Sequence, residues 1–157
     1  MNIGMEKEQM SKTCVGKKVL FVTSSLSGGG AERVLTTIAN NLKDNGAVVE
    51  VLKTSPRIAE NYGLNSAIPV IQLPKINANK VSKAYLMVRS IRKVFKQHSG
   101  YTIVSFLSDN NMLSIMASRG LNNKLIISER NDPSQNCSNM YLRWVRNGLY
   151  LFADWNV

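Results

Sequence analysis

The 157-residue chain is short of several things, and each shortage closes a door. No apolar run approaches the ~20 residues that a membrane-spanning helix needs. Residues 1–18 are polar and mixed in charge, unlike a secretory signal. Only two cysteines occur, Cys14 and Cys137, far apart. They offer neither a disulfide framework nor metal-ligand spacing, so a reducing cytosol is the expected compartment. There is a single histidine, His98, and no internal repeat or low-complexity tract. Acids are scarce: 10 Asp and Glu stand against 20 Lys and Arg, a net charge of +10. That surplus favours anionic partners, whether nucleic acid, an acidic membrane or phosphorylated substrates. With 44% hydrophobic residues, the chain has the length and composition of one domain with a sizeable core.

What is present is organised around residues 18–34, KVLFVTSSLSGGGAERV. An apolar run, Val19 to Val22, reads as a buried parallel strand. Gly28, Gly29 and Gly30 follow, and a helical pattern starts at Ala31. A strand, a glycine turn and a helix N-terminus together present unpaired N–H groups and a positive dipole end, which suits an anion. The turn is not a P-loop, because no Lys follows the glycines. Nor is it a dinucleotide fingerprint, because Arg33 stands where the last glycine would be. A tight turn without a ligand is the bland alternative.

Along the rest of the chain strands and helices alternate. Ala31, Val34, Leu35, Ile38, Ala39 and Leu42 form a helical stripe, with Gly46 as its stop. Strands are expected at 48–53, 68–73, 101–107 and 124–128, and helices at 81–97, from about 112 to 119, and at 139–153. His98 falls at the end of the 81–97 helix, where a cation meets the negative dipole end. The last residues, from Asp154, begin another strand. This alternation predicts an α/β, Rossmann-like doubly wound parallel sheet. Ligands in such sheets lie beyond the carboxyl ends of the strands, so three turns become candidates: 28–30, 108–111 and 129–132. Asn110, Asn111 and Asn131 offer donors and acceptors, Glu129 can accept from hydroxyls, and Arg130 can grip phosphate. Asp109 and Asp132 read more simply as helix caps.

G-G-A-E-R-V, then L-x-x-I-A-x-x-L-x-x-x-G and V-x-V, resembles the opening of family 4 glycosyltransferases, which have the GT-B fold. The segments S-F-L-S-D-N-N and L-I-I-S-E-R-N-D are similar to the later half of the same N-terminal domain, notably in bacterial enzymes building polysaccharides or lipid-linked oligosaccharides. Residues 1–17 are then a disordered leader and 18–157 an acceptor-side domain. The resemblance implies a retaining sugar transfer from a nucleotide-sugar donor to a glycan or lipid-linked acceptor. It implies no metal or other cofactor and no nucleic acid. The glycine turn would face the donor diphosphate. Relatives often carry a histidine where Arg130 stands, and a pair of glutamates on a C-terminal domain that has no counterpart among Glu6, Glu8, Glu32, Glu50, Glu60 and Glu129. The expectation is therefore an N-terminal half, inactive alone, with the donor domain missing. An epimerase on the same fold, or a non-catalytic module binding anionic lipid or glycan, are the competing readings. Arg89, Arg92, Lys93 and Lys96 recur on one helix face and suggest attachment to an anionic membrane surface, on its cytoplasmic side.

Overall fold

A computed structural model describes residues 13–27, 29–55, 63–129 and 155–156. The expected helix at 139–153, together with Gly28, Arg130, Asn131 and Cys137, lies outside the described residues. Six strands form one sheet: β1 (Lys18–Thr23), β2 (Val48–Lys53), β3 (Val70–Gln72), β4 (Thr102–Phe106), β5 (Lys124–Ser128) and β6 (Trp155–Asn156). Among the described residues three helices lie between strands: α1 (Gly30–Asp44), α2 (Lys80–Gln97) and α3 (Ser108–Ser118). The strand order is β3-β2-β1-β4-β5-β6, and every neighbouring pair is parallel. The order reverses between β1 and β4, which makes their carboxyl ends the switch point.

The strands read as continuous apolar runs because helices cover both faces. On one face, Leu35 and Ala39 of α1 pack over Val19, Phe21, Val49 and Val51. On the other, Ile91, Val94 and Phe95 of α2 and Ile115 of α3 pack over Leu20, Val22, Leu52, Ile103, Leu125 and Ile127. Burying each such side chain contributes about 1.5–3 kcal/mol, so β1, buried from both sides, anchors the domain. Phe21 and Phe106 meet across β1 and β4 with ring centroids 6.2 Å apart.

Element ends follow from local chemistry. Helix α1 stops where Gly46 takes φ +86°, a conformation that glycine adopts at little cost. Helix α2 starts at Asn79, whose side chain accepts from the Ser82 N–H at 2.9 Å. Two expectations are corrected. Residues 13–17, assigned from sequence to a disordered leader, form a turn closed by Lys17 N–H on the Cys14 carbonyl, and Val48 N–H donates to Lys17. Residues 108–111 are not an open turn: α3 begins at Ser108, with only Leu107 between it and the end of β4 at Phe106. Leu107 makes that corner with φ +73°, ψ +143°, a region costly for a side chain bearing a Cβ.

Candidate functional site

The turns after β1, β4 and β5 gather at one edge of the sheet. Ser24 and Ser25 continue from β1, Ser108 to Asn111 open α3, and Glu129 follows β5. Hydrogen bonds tie these segments together. The Asn110 carboxamide donates to the Phe106 carbonyl at 3.0 Å and to Ser24 Oγ at 3.2 Å, while Oδ1 accepts from Thr54 Oγ1 at 2.8 Å. Asn110 is 2% exposed and Asn111 is fully buried. Asn111 donates to the Ser128 carbonyl at 3.3 Å. These bonds help hold the carboxyl ends of the strands in place, and Asn110 also lines the cleft described below. Ser108 Oγ lies 2.9 Å from each Glu129 carboxylate oxygen. Asp109 lies in the first turn of α3, where its charge favours the helix dipole, but no side-chain cap bond forms.

The glycine turn has its own occupant. Glu32, in the first turn of α1, folds back so that Oε1 accepts from Ser25 Oγ at 2.9 Å. Ser25 Oγ is also 3.1 Å from Ser27 Oγ. A Cβ at Gly29 would collide with the other Glu32 oxygen, whereas one at Gly30 would meet open space. Gly29 therefore leaves room for an internal carboxylate at the helix N-terminus, where such a charge is stabilised.

Sequence reasoning missed the cleft beside this edge. It has a volume of about 820 Å³ and lies between the first turns of α2, the outer face of α3 and the connector 74–78. Met87, Met112, Leu113 and Met116 give it an apolar wall, Ser24, Thr54 and Ser55 a hydroxyl-rich end, and Lys75 and Lys83 a basic rim. Those methionines carry helical spacing that reads as core, which is why the sequence did not flag them. The chain is similar to a glycosyltransferase. Over 142 residues it is 28% identical to the Campylobacter jejuni GalNAc-alpha-(1->4)-GalNAc-alpha-(1->3)-diNAcBac-PP-undecaprenol alpha-1,4-N-acetyl-D-galactosaminyltransferase. The match takes in 87% of this chain and 38% of that relative's length. No family model matches the chain.

The four cations singled out on α2 divide. Arg89, Lys93 and Lys96 are exposed. Arg92 is turned inward, with Nη1 donating to the Ala117 and Arg119 carbonyls at 2.8 and 2.6 Å. It caps the C-terminus of α3 and is withdrawn from the outer face. Tyr85 and Leu86 are exposed on the same helix, Tyr85 at 64%. No helix among the described residues is long and apolar enough to cross a membrane. Among the described residues no cluster of three or more His, Cys, Asp or Glu gathers as metal ligands do.

At the far end of α2, His98 Nδ1 donates to the Val94 carbonyl at 2.8 Å, and Nε2 faces Glu50 Oε2 at 3.1 Å. Tyr101 OH donates to Glu50 Oε1 at 3.1 Å. Burial raises the Tyr101 phenol above its ordinary value, and the Glu50 hydrogen bond and charge add to the rise. This cluster lies at the end of the sheet where strands begin, away from the cleft, so His98 ties helix to sheet rather than serving that site.

Proposed function

We propose that this chain is the acceptor-side domain of a retaining glycosyltransferase of the family 4, GT-B kind, working on a lipid-linked glycan at the cytoplasmic face of a membrane. The observation that carries the reading is the cleft beside the switch point: an apolar wall, a hydroxyl-lined end and a lysine rim fit an amphiphile bearing phosphate. The similarity to an enzyme whose name contains a diphosphate-undecaprenol glycan points the same way. The donor would be a nucleotide sugar, its diphosphate approaching the N-terminus of α1 at Gly28 to Gly30 once the Glu32 carboxylate moves aside. Glu129, with Ser108, would receive a sugar hydroxyl, and Arg130 and Asn131 would add contacts from the segment that follows. No metal or organic cofactor enters this reading. Arg89, Lys93 and Lys96, with Tyr85 and Leu86 beside them, would meet the anionic surface, each cation contributing about 1 kcal/mol.

Transfer needs donor and acceptor held together, since positioning supplies much of the barrier reduction. The 157 residues correspond to a minor part of the similar enzyme, so the chain by itself is expected to bind without transferring sugar. Isotope-labelled protein titrated with a short-chain prenyl diphosphate glycan would test the reading. Shifts at Ser55, Met87 and Met112 are expected. Their absence at saturating ligand, or robust turnover with UDP- or GDP-sugars by this chain alone, would overturn it.

A further inference from the structure

A second cavity, of about 780 Å³, opens at the opposite edge of the sheet, where the strands begin. Lys17, Lys18 and Lys124 line it, with Thr102, Asn122 and Asn123. The sheet itself brings them together. Lys18 and Lys124 are the first residues of β1 and β5, and Thr102 opens β4 between them, paired directly with Lys124. No carboxylate lines the cavity. The acid that this end of the sheet does carry, Glu50, has one oxygen taken by Tyr101 and the other by His98. Among the described residues no acid pairs with any of the three lysines. Lys18 instead holds its ammonium 5.8 Å from the Tyr101 ring centroid.

Three cations around one hollow repel each other, and an anion between them would turn that repulsion into attraction. A phosphate monoester, with a charge of about −1.5 to −2, matches the set better than a single carboxylate. Asn123 donates its amide to the His98 and Tyr101 carbonyls, which fixes that wall of the cavity. We propose that this cavity is a second binding site, for a phosphate monoester or diester. It is separate from the cleft at the carboxyl edge and does not depend on the transferase reading.

Two sources share this chemistry: a soluble polyol or sugar phosphate, and a phospholipid headgroup. Isotope-labelled full chain would be titrated with glycerol phosphate, with uncharged glycerol, and with vesicles of phosphatidylglycerol or phosphatidylcholine. Saturable amide shifts at Lys18, Thr102, Asn123 and Lys124 with glycerol phosphate, absent with glycerol, are expected if the source is soluble. Broadening of the same amides with phosphatidylglycerol but not phosphatidylcholine vesicles, lost in K18Q/K124Q, would assign the site to the headgroup. The double variant K18Q/K124Q should weaken either response by about tenfold or more, with added salt acting in the same direction. R33Q, exposed on α1 and outside the cavity, should respond as wild type. Lys18, Lys124 and Arg33 are exposed, so folding should survive, and a preserved amide spectrum would confirm it. Shifts spread evenly over every lysine-bearing surface, no response in either arm, or wild-type affinity in K18Q/K124Q would overturn the proposal.

Discussion

Thr54 and Asn110, 56 positions apart in sequence, are joined by a 2.8 Å hydrogen bond that links the end of β2 to the first turn of α3. Thr54 Oγ1 also reaches the Thr23 carbonyl, at 3.3 Å, so one small network spans β1, β2 and α3. Replacing Asn110 with Ala removes the Asn110 acceptor of the Thr54 hydroxyl, leaving it only the longer bond to the Thr23 carbonyl, and removes the side-chain donor to the Phe106 carbonyl. The expected loss is about 1–3 kcal/mol in urea unfolding. Asn110→Asp keeps the acceptor but not the donor, and should also destabilise. A neutral result for both would mean that the network does not hold this edge.

Arg92 should behave unlike its basic neighbours. Arg92→Met removes the cap on the Ala117 and Arg119 carbonyls and should cost about 1.5–3 kcal/mol, as expected for bonds from a charged donor. Its vesicle binding, corrected for the fraction folded, should change little. R89Q/K93Q/K96Q should do the reverse, keeping the unfolding midpoint while weakening sedimentation with anionic vesicles. Equal binding to anionic and neutral vesicles would remove the electrostatic attachment altogether.

Gly29 and Glu32 should be coupled. Gly29 has φ −67°, so its backbone does not demand glycine. Alanine there would push the Glu32 carboxylate off Ser25, at an expected cost of about 0.5–1.5 kcal/mol. In a Glu32→Ala background the same change should cost almost nothing. A double-mutant cycle with no coupling would show that the carboxylate does not rest on this turn.

Tyr101 sets the alkaline behaviour. Its phenol titrates higher in the folded chain than in the unfolded one, chiefly through burial and then through Glu50. The folded state therefore holds its proton longer. Stability from this source is complete below the unfolded tyrosine value, about 10, and is lost as pH rises through the higher folded value. Unfolding free energy measured across that range should fall for wild type and stay flatter for Tyr101→Phe.

Strands β2 and β5 could be read from the sequence to the residue, because V-V-E-V-L-K and K-L-I-I-S are short runs rich in Val, Leu and Ile bounded by turn residues. The onset of α3 could not. Its N-cap is a leucine in a left-handed conformation, which no capping preference anticipates. The partners of Asn110, Ser24 and Thr54, could not be read from the sequence, because they are distant along the chain and become neighbours only when β1 and β2 pair. Arg92 looked like one more cation on a helical wheel, since nothing local says that the end of α3 lies beside it. The glycine turn was legible as a turn, but its filling by Glu32 depends on a side-chain direction that spacing alone leaves open.

Helix α2 runs as one rod of 18 residues, about 27 Å long. Its first turns wall the carboxyl-edge cleft through Lys83, Ala84 and Met87, and the residues just past its end, Ser99 and Gly100, wall the cavity at the other edge. The two hollows are thus held apart by a spacer too long for one small molecule to bridge. Ligands in them would not compete for space, and a titration of one cavity can be carried out with the other already full.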